Sequence, residues 1–85
     1  MLEETDNIIG MEIYTPDGVF VGCVTDVVLN VTDGRADGLF VAEPSPVVAE
    51  PGVTLGIPFE WVSGIGDVVI LDRFPGRVLR DGSVG

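Results

Sequence analysis

The stretch Met11-Glu-Ile-Tyr-Thr-Pro-Asp-Gly-Val-Phe-Val-Gly-Cys-Val-Thr-Asp-Val-Val-Leu-Asn-Val-Thr-Asp-Gly-Arg-Ala-Asp-Gly-Leu-Phe-Val-Ala42 decides the fold: extended segments are separated by Asp17-Gly18 and Asp33-Gly34. From Val19 to Val31 the odd positions (Val19, Val21, Cys23, Thr25, Val27, Leu29 and Val31) form an almost unbroken apolar row at the two-residue period of a strand. The even positions are mixed, with Phe20 and Val24 giving way to Asp26, Asn30 and Thr32. The first half of the segment therefore reads as covered on both faces and the second as half-solvated. A segment this long bends, and Gly22, with no Cβ to obstruct curvature, is the expected corner.

Working outward, Ile8 to Tyr14 reads as a first strand, joined to the long segment by the turn Thr15-Pro16-Asp17-Gly18. There proline presets φ and glycine accepts a left-handed conformation. After Asp33-Gly34 a short strand runs around Gly38 to Ala42. Leu39 and Val41 face the core on this reading, which turns Phe40 outward. Prolines 44, 46 and 51 then make residues 43–52 an exposed connection, with Val47 to Ala49 as a short strand at most. Val53, Leu55 and Ile57 alternate as a further strand that stops at Pro58, and Phe59 and Trp61 close one end of the core. Gly64-Ile65-Gly66-Asp67 turns the chain into a strand at Val68 to Leu71. Residues 1–7 form a flexible acidic lead-in, 8–72 the core domain, and 73–85 a C-terminal extension.

No long 3.6-residue period emerges, so short strands and frequent turns predict an all-β domain, a small closed barrel or else a small sandwich. Val21, Val27, Leu29, Leu55, Ile57 and Ile70 are its expected inner residues. A charge at Leu29, in the middle of the longest row, is expected to be especially damaging.

Composition narrows the function classes. The chain has 85 residues, enough for one small domain whose core is compact or completed by a partner. Fourteen acidic residues face four arginines and no lysine, a net charge of −10 that repels nucleic-acid phosphate and anionic lipid. Such acidity suits a proteome adapted to high salt, because at about 1 M salt the screening length is only about 3 Å. No apolar run approaches the roughly 18 residues of a membrane span, and the first residues lack the pattern of a secretory signal, so the expected location is cytoplasmic.

Catalytic chemistry finds little to work with. Histidine and lysine are absent and Cys23 is the one cysteine, which removes histidine acid/base chemistry, a lysine Schiff base and a disulfide pair. Cys23 falls in the central strand row and reads as a buried packing residue. Tyr14 and Ser63 bring no activating partner. Asp33 and Asp37 flank a turn without the donor series of a calcium loop, and Gly64-Ile65-Gly66 matches neither nucleotide fingerprint. No catalytic residue, cofactor or metal ligand is assigned. The candidates for partner binding are Phe40, Phe74, Arg73 and Arg77, exposed aromatics and guanidinium groups of the kind that anchor protein interfaces. Arg77 and Arg80 are also expected to pair with acidic groups of the chain's own surface.

In order along the chain, Ile9-Gly10 through Ile13, Asp17-Gly18 followed by Val21-Gly22, Val24-Thr-Asp-Val27, Gly34-Arg35, Ile57-Pro58 to Val62 and Ile65-Gly66-Asp67-Val-Val-Ile-Leu71 resemble the PRC-barrel family, particularly its small archaeal members. The resemblance implies a six-stranded barrel used as a binding module, without catalysis. Small, acidic, stand-alone versions are similar to the archaeal cell-division proteins of salt-loving species. These partner one another and SepF, the membrane anchor of the tubulin-like division machinery. That resemblance implies a cytoplasmic adaptor recruited to the division site, acting as a homodimer or paralogue heterodimer. An adaptor in ribosome assembly and a small-ligand-binding barrel are the alternatives.

Overall fold

The computed structural model describes residues 8–85, so the lead-in at 1–7 lies outside the described residues. Seven strands are present among the described residues: β1 (Glu12–Tyr14), β2 (Phe20–Cys23), β3 (Asp26–Asn30), β4 (Arg35–Val41), β5 (Leu55–Pro58), β6 (Val62–Ile65) and β7 (Val69–Leu71). A single turn of 3-10 helix, Phe59–Trp61, separates β5 from β6. The strands make two sheets, one ordered β2-β1-β7-β6 and the other β3-β4-β5.

This architecture corrects the expected six-stranded closed barrel. Among the described residues no strand pairing links the two sheets, so the backbone ladder does not run round the molecule. The chain passes between sheets at Val24 and Thr25, whose backbone groups face different ways. Val24 exchanges hydrogen bonds with the β1 side, its N–H donating to Met11 O at 2.9 Å and its carbonyl accepting from Gly10 at 2.7 Å. Thr25 donates instead to Phe40 O at 2.8 Å, and its hydroxyl accepts from the Ala42 N–H at 3.0 Å. The long apolar segment thus serves two sheets, with the break two residues beyond the expected corner. Gly22 is nevertheless special: its φ is 153°, and a Cβ there would lie 2.8 Å from Val41 Cγ1.

One apolar core fills the space the sheets share. Ile13, Val21, Val69 and Leu71 come from the four-stranded sheet, and Val27, Leu39, Val41, Leu55 and Ile57 from the three-stranded one. Four of the six expected core residues are among them; Leu29 and Ile70 are not. In β4 the register shifts, so that Val28 pairs with Gly38 but Leu29 with Ala36, leaving Asp37 as an extra residue. A bulge of this kind bends the hairpin, while β3 keeps its own alternation. Beyond it the β3–β4 hairpin overhangs the core, with Leu29 51% and Val31 96% exposed. In β7 the apolar run Val68 to Leu71 carries no alternation to set its phase; Val69 and Leu71 point inward and Ile70 outward.

A second irregularity moves Cys23. Ile13 pairs with Gly22 but Tyr14 with Phe20, so Val21 is the extra residue in β2 and Cys23 lands opposite Glu12 on the outer face. The thiol is exposed, not buried in packing. Cys23 should therefore react completely with a maleimide or aromatic disulfide reagent in the native protein, at the rate seen in denaturant within about tenfold; protection until unfolding would contradict this placement. The outer face here also carries Tyr14 against Phe20, ring centroids 5.7 Å apart.

Two further differences are local. Residues Gly64 and Ile65, read as a turn, belong to β6, which pairs antiparallel with β7. Its Val-Ser-Gly-Ile sequence has no buried residue and hence no alternation to betray it. Of the segment Val47 to Ala49, only Ala49 pairs, in an isolated parallel bridge to Val78.

Candidate functional site

A groove of about 490 Å³ opens where the β1–β2 turn, the proline-rich connection and the segment after β7 meet. Each wall is fixed by local chemistry. The β1–β2 turn is closed by Gly18 N–H to Thr15 O at 2.9 Å, and the buried Thr15 hydroxyl accepts from the Val19 N–H at 3.0 Å. This places Thr15, Pro16, Asp17 and Val19 along one side.

The connection forms a tight turn because Ser45 O accepts from both Val48 (3.0 Å) and Ala49 (3.1 Å). Ser45 itself donates to Val21 O at 2.7 Å, which fastens the turn to β2. Val48 is buried beneath it, while Val47 stays 68% exposed at the rim. Proline bracketing thus yields an ordered wall where the sequence reads only as a connection.

The third wall contains Arg73, Phe74, Gly76 and Arg77. Phe74 is half-buried and meets Trp61 edge-on, with centroids 6.4 Å apart and planes at 79°, which holds its ring at the groove. Arg73 is exposed and paired with Asp72 through Nε at 2.9 Å. Arg77 donates from Nε to Pro46 O at 2.9 Å, clamping the third wall to the second. The expected surface pairing of Arg77 with a carboxylate is replaced by this carbonyl contact, and at Arg80 the backbone N–H meets Glu50 Oε1 at 2.7 Å.

Three of the four sequence candidates, Arg73, Phe74 and Arg77, therefore share one groove, and Phe40 lies outside it on β4. Asp17 lines the groove and Asp72 pairs with Arg73 from beside it, so the two guanidinium groups stand there as directed donors and not as a net positive charge. An apolar floor rimmed by guanidinium groups suits an apolar anchor flanked by carboxylates. Sequence reasoning missed Thr15, Val19 and Val47 as groove residues, because their assembly depends on segments that are distant in the chain.

Two groups outside the groove titrate abnormally. The Tyr14 hydroxyl donates to Glu12 Oε1 at 2.9 Å, which raises its pKa above the ordinary 10.0. Asp81 is lowered from 3.8, first by the Ser83 hydroxyl and then by the Ser83 backbone N–H. Among the described residues no cluster of three or more Cys, Asp or Glu side chains is placed to hold a metal ion. No helix among them is long and apolar enough to cross a membrane.

Comparison with known proteins adds two findings. A family model described as PRC-barrel domain matches residues 2–78. Over 58 residues the chain is 40% identical to an uncharacterized protein of Methanocaldococcus jannaschii, a match covering 66% of this chain and 65% of that protein. The chain thus spans just under two thirds of this relative's length.

Proposed function

Because the chain belongs to the PRC-barrel domain family, whose domains are non-catalytic interaction modules, we propose that it is a protein adaptor in archaeal cell division, partnering SepF or a related PRC-barrel protein. The observation that carries the site is the groove that gathers Arg73, Phe74 and Arg77 on an otherwise acidic chain. The division role rests on the likeness to small acidic archaeal members, and the archaeal relative supports that setting. Recruitment to the membrane-proximal division site then passes through protein contacts.

Reversing charge at the rim tests this without touching the core, since Arg73 is exposed and Arg77 reaches its carbonyl partner only at the surface. In matched high salt, the double variant Arg73→Glu, Arg77→Glu is expected to weaken binding of purified SepF by about 30-fold or more, a hot-spot-sized loss. Its melting temperature should change by only a few degrees, and midcell enrichment of the untagged protein should disappear. Unchanged SepF affinity in the double variant would remove the groove from the interface. Recovery of the wild type only with a small-ribosomal-subunit intermediate, with no division-site enrichment, would move the function to ribosome assembly.

A further inference from the structure

The third wall of the groove opens a unit that the core does not hold. From Asp72 to Gly85 no residue is buried. Arg77 to Gly85 fold back on themselves as a hairpin: the Gly85 N–H donates to Arg77 O at 2.8 Å, the Leu79 N–H donates to Ser83 O at 2.9 Å, and Gly82 turns the chain with a φ of 89°. Asp81 Oδ1 braces that turn, accepting from the Ser83 N–H at 2.9 Å and the Ser83 hydroxyl at 2.6 Å. Of these residues Val78 alone packs against the core, and it is only half-buried.

The hairpin docks on the proline-rich connection through polar groups. The Val78 N–H donates to Val48 O and the Glu50 N–H to Val78 O, both at 2.8 Å. The Arg80 N–H donates to Glu50 Oε1, and Arg77 Nε to Pro46 O. An isolated two-stranded hairpin is marginal in water, so docking and ordering of this one form a single event. The unit starts at Gly76, because Phe74, two residues earlier, is held by Trp61. Gly76 and Arg77 line the groove, whereas Glu50 and residues 78–85 do not.

We propose that residues 76–85 act as a strap that makes or unmakes the groove. Docked, the strap sets Arg77 against Pro46 and completes the third wall; released, it carries Gly76 and Arg77 away while Phe74 stays with Trp61. This rests on the groove as the partner site and adds its regulation. The affinity of the groove scales with the fraction of molecules whose strap is closed. By linkage, a partner that touches Arg77 holds the strap shut.

Amide hydrogen exchange on the full chain tests the strap with no partner present. Glu50, Val78, Leu79 and Gly85 are expected to exchange at one common rate, about tenfold or more faster than the amides of the central strands β4 and β7. Arg77→Ala, which removes the clamp to Pro46, should raise that common rate about fivefold, the worth of one net hydrogen bond. Arg35→Ala, which removes a guanidinium from the other sheet, should leave it unchanged. The double variant Glu50→Ala, Val78→Asp should strip protection from all four positions while β4 and β7 stay protected. Against purified SepF in matched high salt, this open variant should bind about tenfold more weakly, as weakly as Arg77→Ala, although neither altered residue lines the groove. Adding Arg77→Ala to it should cost nothing further, the mark of a shared mechanism. Core-like protection of the four amides would overturn the proposal, as would exchange indifferent to Arg77→Ala, or an open variant that binds like wild type where Arg77→Ala does not. The wild-type and Arg77→Ala exchange rates decide the question even if the double variant unfolds. SepF affinity indifferent to Arg77→Ala removes the groove from the SepF interface, and the exchange rates then decide the strap by themselves.

Discussion

Leu39→Asp is expected to abolish folding, while Leu29→Asp, in the same hairpin, is expected to alter stability by no more than about 0.5–1 kcal/mol. Leu39 is fully buried at the centre of the three-stranded sheet, flanked by Val27 on one strand and Ile57 on the other. Truncating such a leucine to alanine costs about 2–5 kcal/mol, and a carboxylate in the same place must in addition be desolvated or protonated. Against a total stability of about 5–15 kcal/mol, the loss removes the native state. Leu29 is half exposed on the overhanging hairpin, where a carboxylate remains hydrated. Circular dichroism and urea titration at fixed high salt decide between the two; a severe loss at Leu29 with tolerance at Leu39 would invalidate the core described above.

Gly22→Ala should destabilise the fold by about 2–3 kcal/mol, combining backbone strain with overpacking. The φ of 153° is unfavourable for any side chain, and the new methyl would meet Val41 Cγ1 at 2.8 Å and the Pro44 backbone at 3.3 Å. Gly56→Ala is the contrasting substitution. With nothing within 4 Å and an ordinary φ, it should be neutral or stabilising by up to about 1 kcal/mol in the monomer. Equal losses at the two positions would show that generic strand propensity, not local geometry, governs them. The measurement is the shift in urea midpoint at constant slope.

Legibility in the sequence followed the strength of alternation. Val21, Val27, Leu55 and Ile57 sit in strands where polar or glycine neighbours mark the opposite face, and all four are buried. Leu29, Cys23 and Ile70 failed for three reasons. A strict period of two cannot register the extra residue at Val21, which resets the phase for Cys23, and it cannot show that the β3–β4 hairpin runs on past the core and leaves Leu29 uncovered. An apolar run such as Val68 to Leu71 has no phase to read. The turn at Asp17-Gly18 was legible because proline and glycine enforce it locally. Sheet closure was not, because whether β2 meets β3 depends on hydrogen bonds made by Val24 and Thr25 to partners elsewhere in the chain. At the site, residue type alone singled out Arg73, Phe74 and Arg77, while their opposing wall came from the first hairpin turn and the proline-bracketed connection.

The parallel pairing of β1 with β7, in which Ile13 meets Val69 and Tyr14 meets Ile70, also imposes an order on biogenesis. As the polypeptide leaves the ribosome, the β3–β4 hairpin can close at once and β5 can add to it, since these strands are successive in the chain. β1 and β2 can pair early, but the inner edge of β1 stays vacant until β7 has cleared the exit tunnel. The nascent chain therefore carries an open strand edge beside an unfinished core from the emergence of β1 until that of β7, and the emergence of β7, not formation of the first hairpin, sets the moment at which the domain locks.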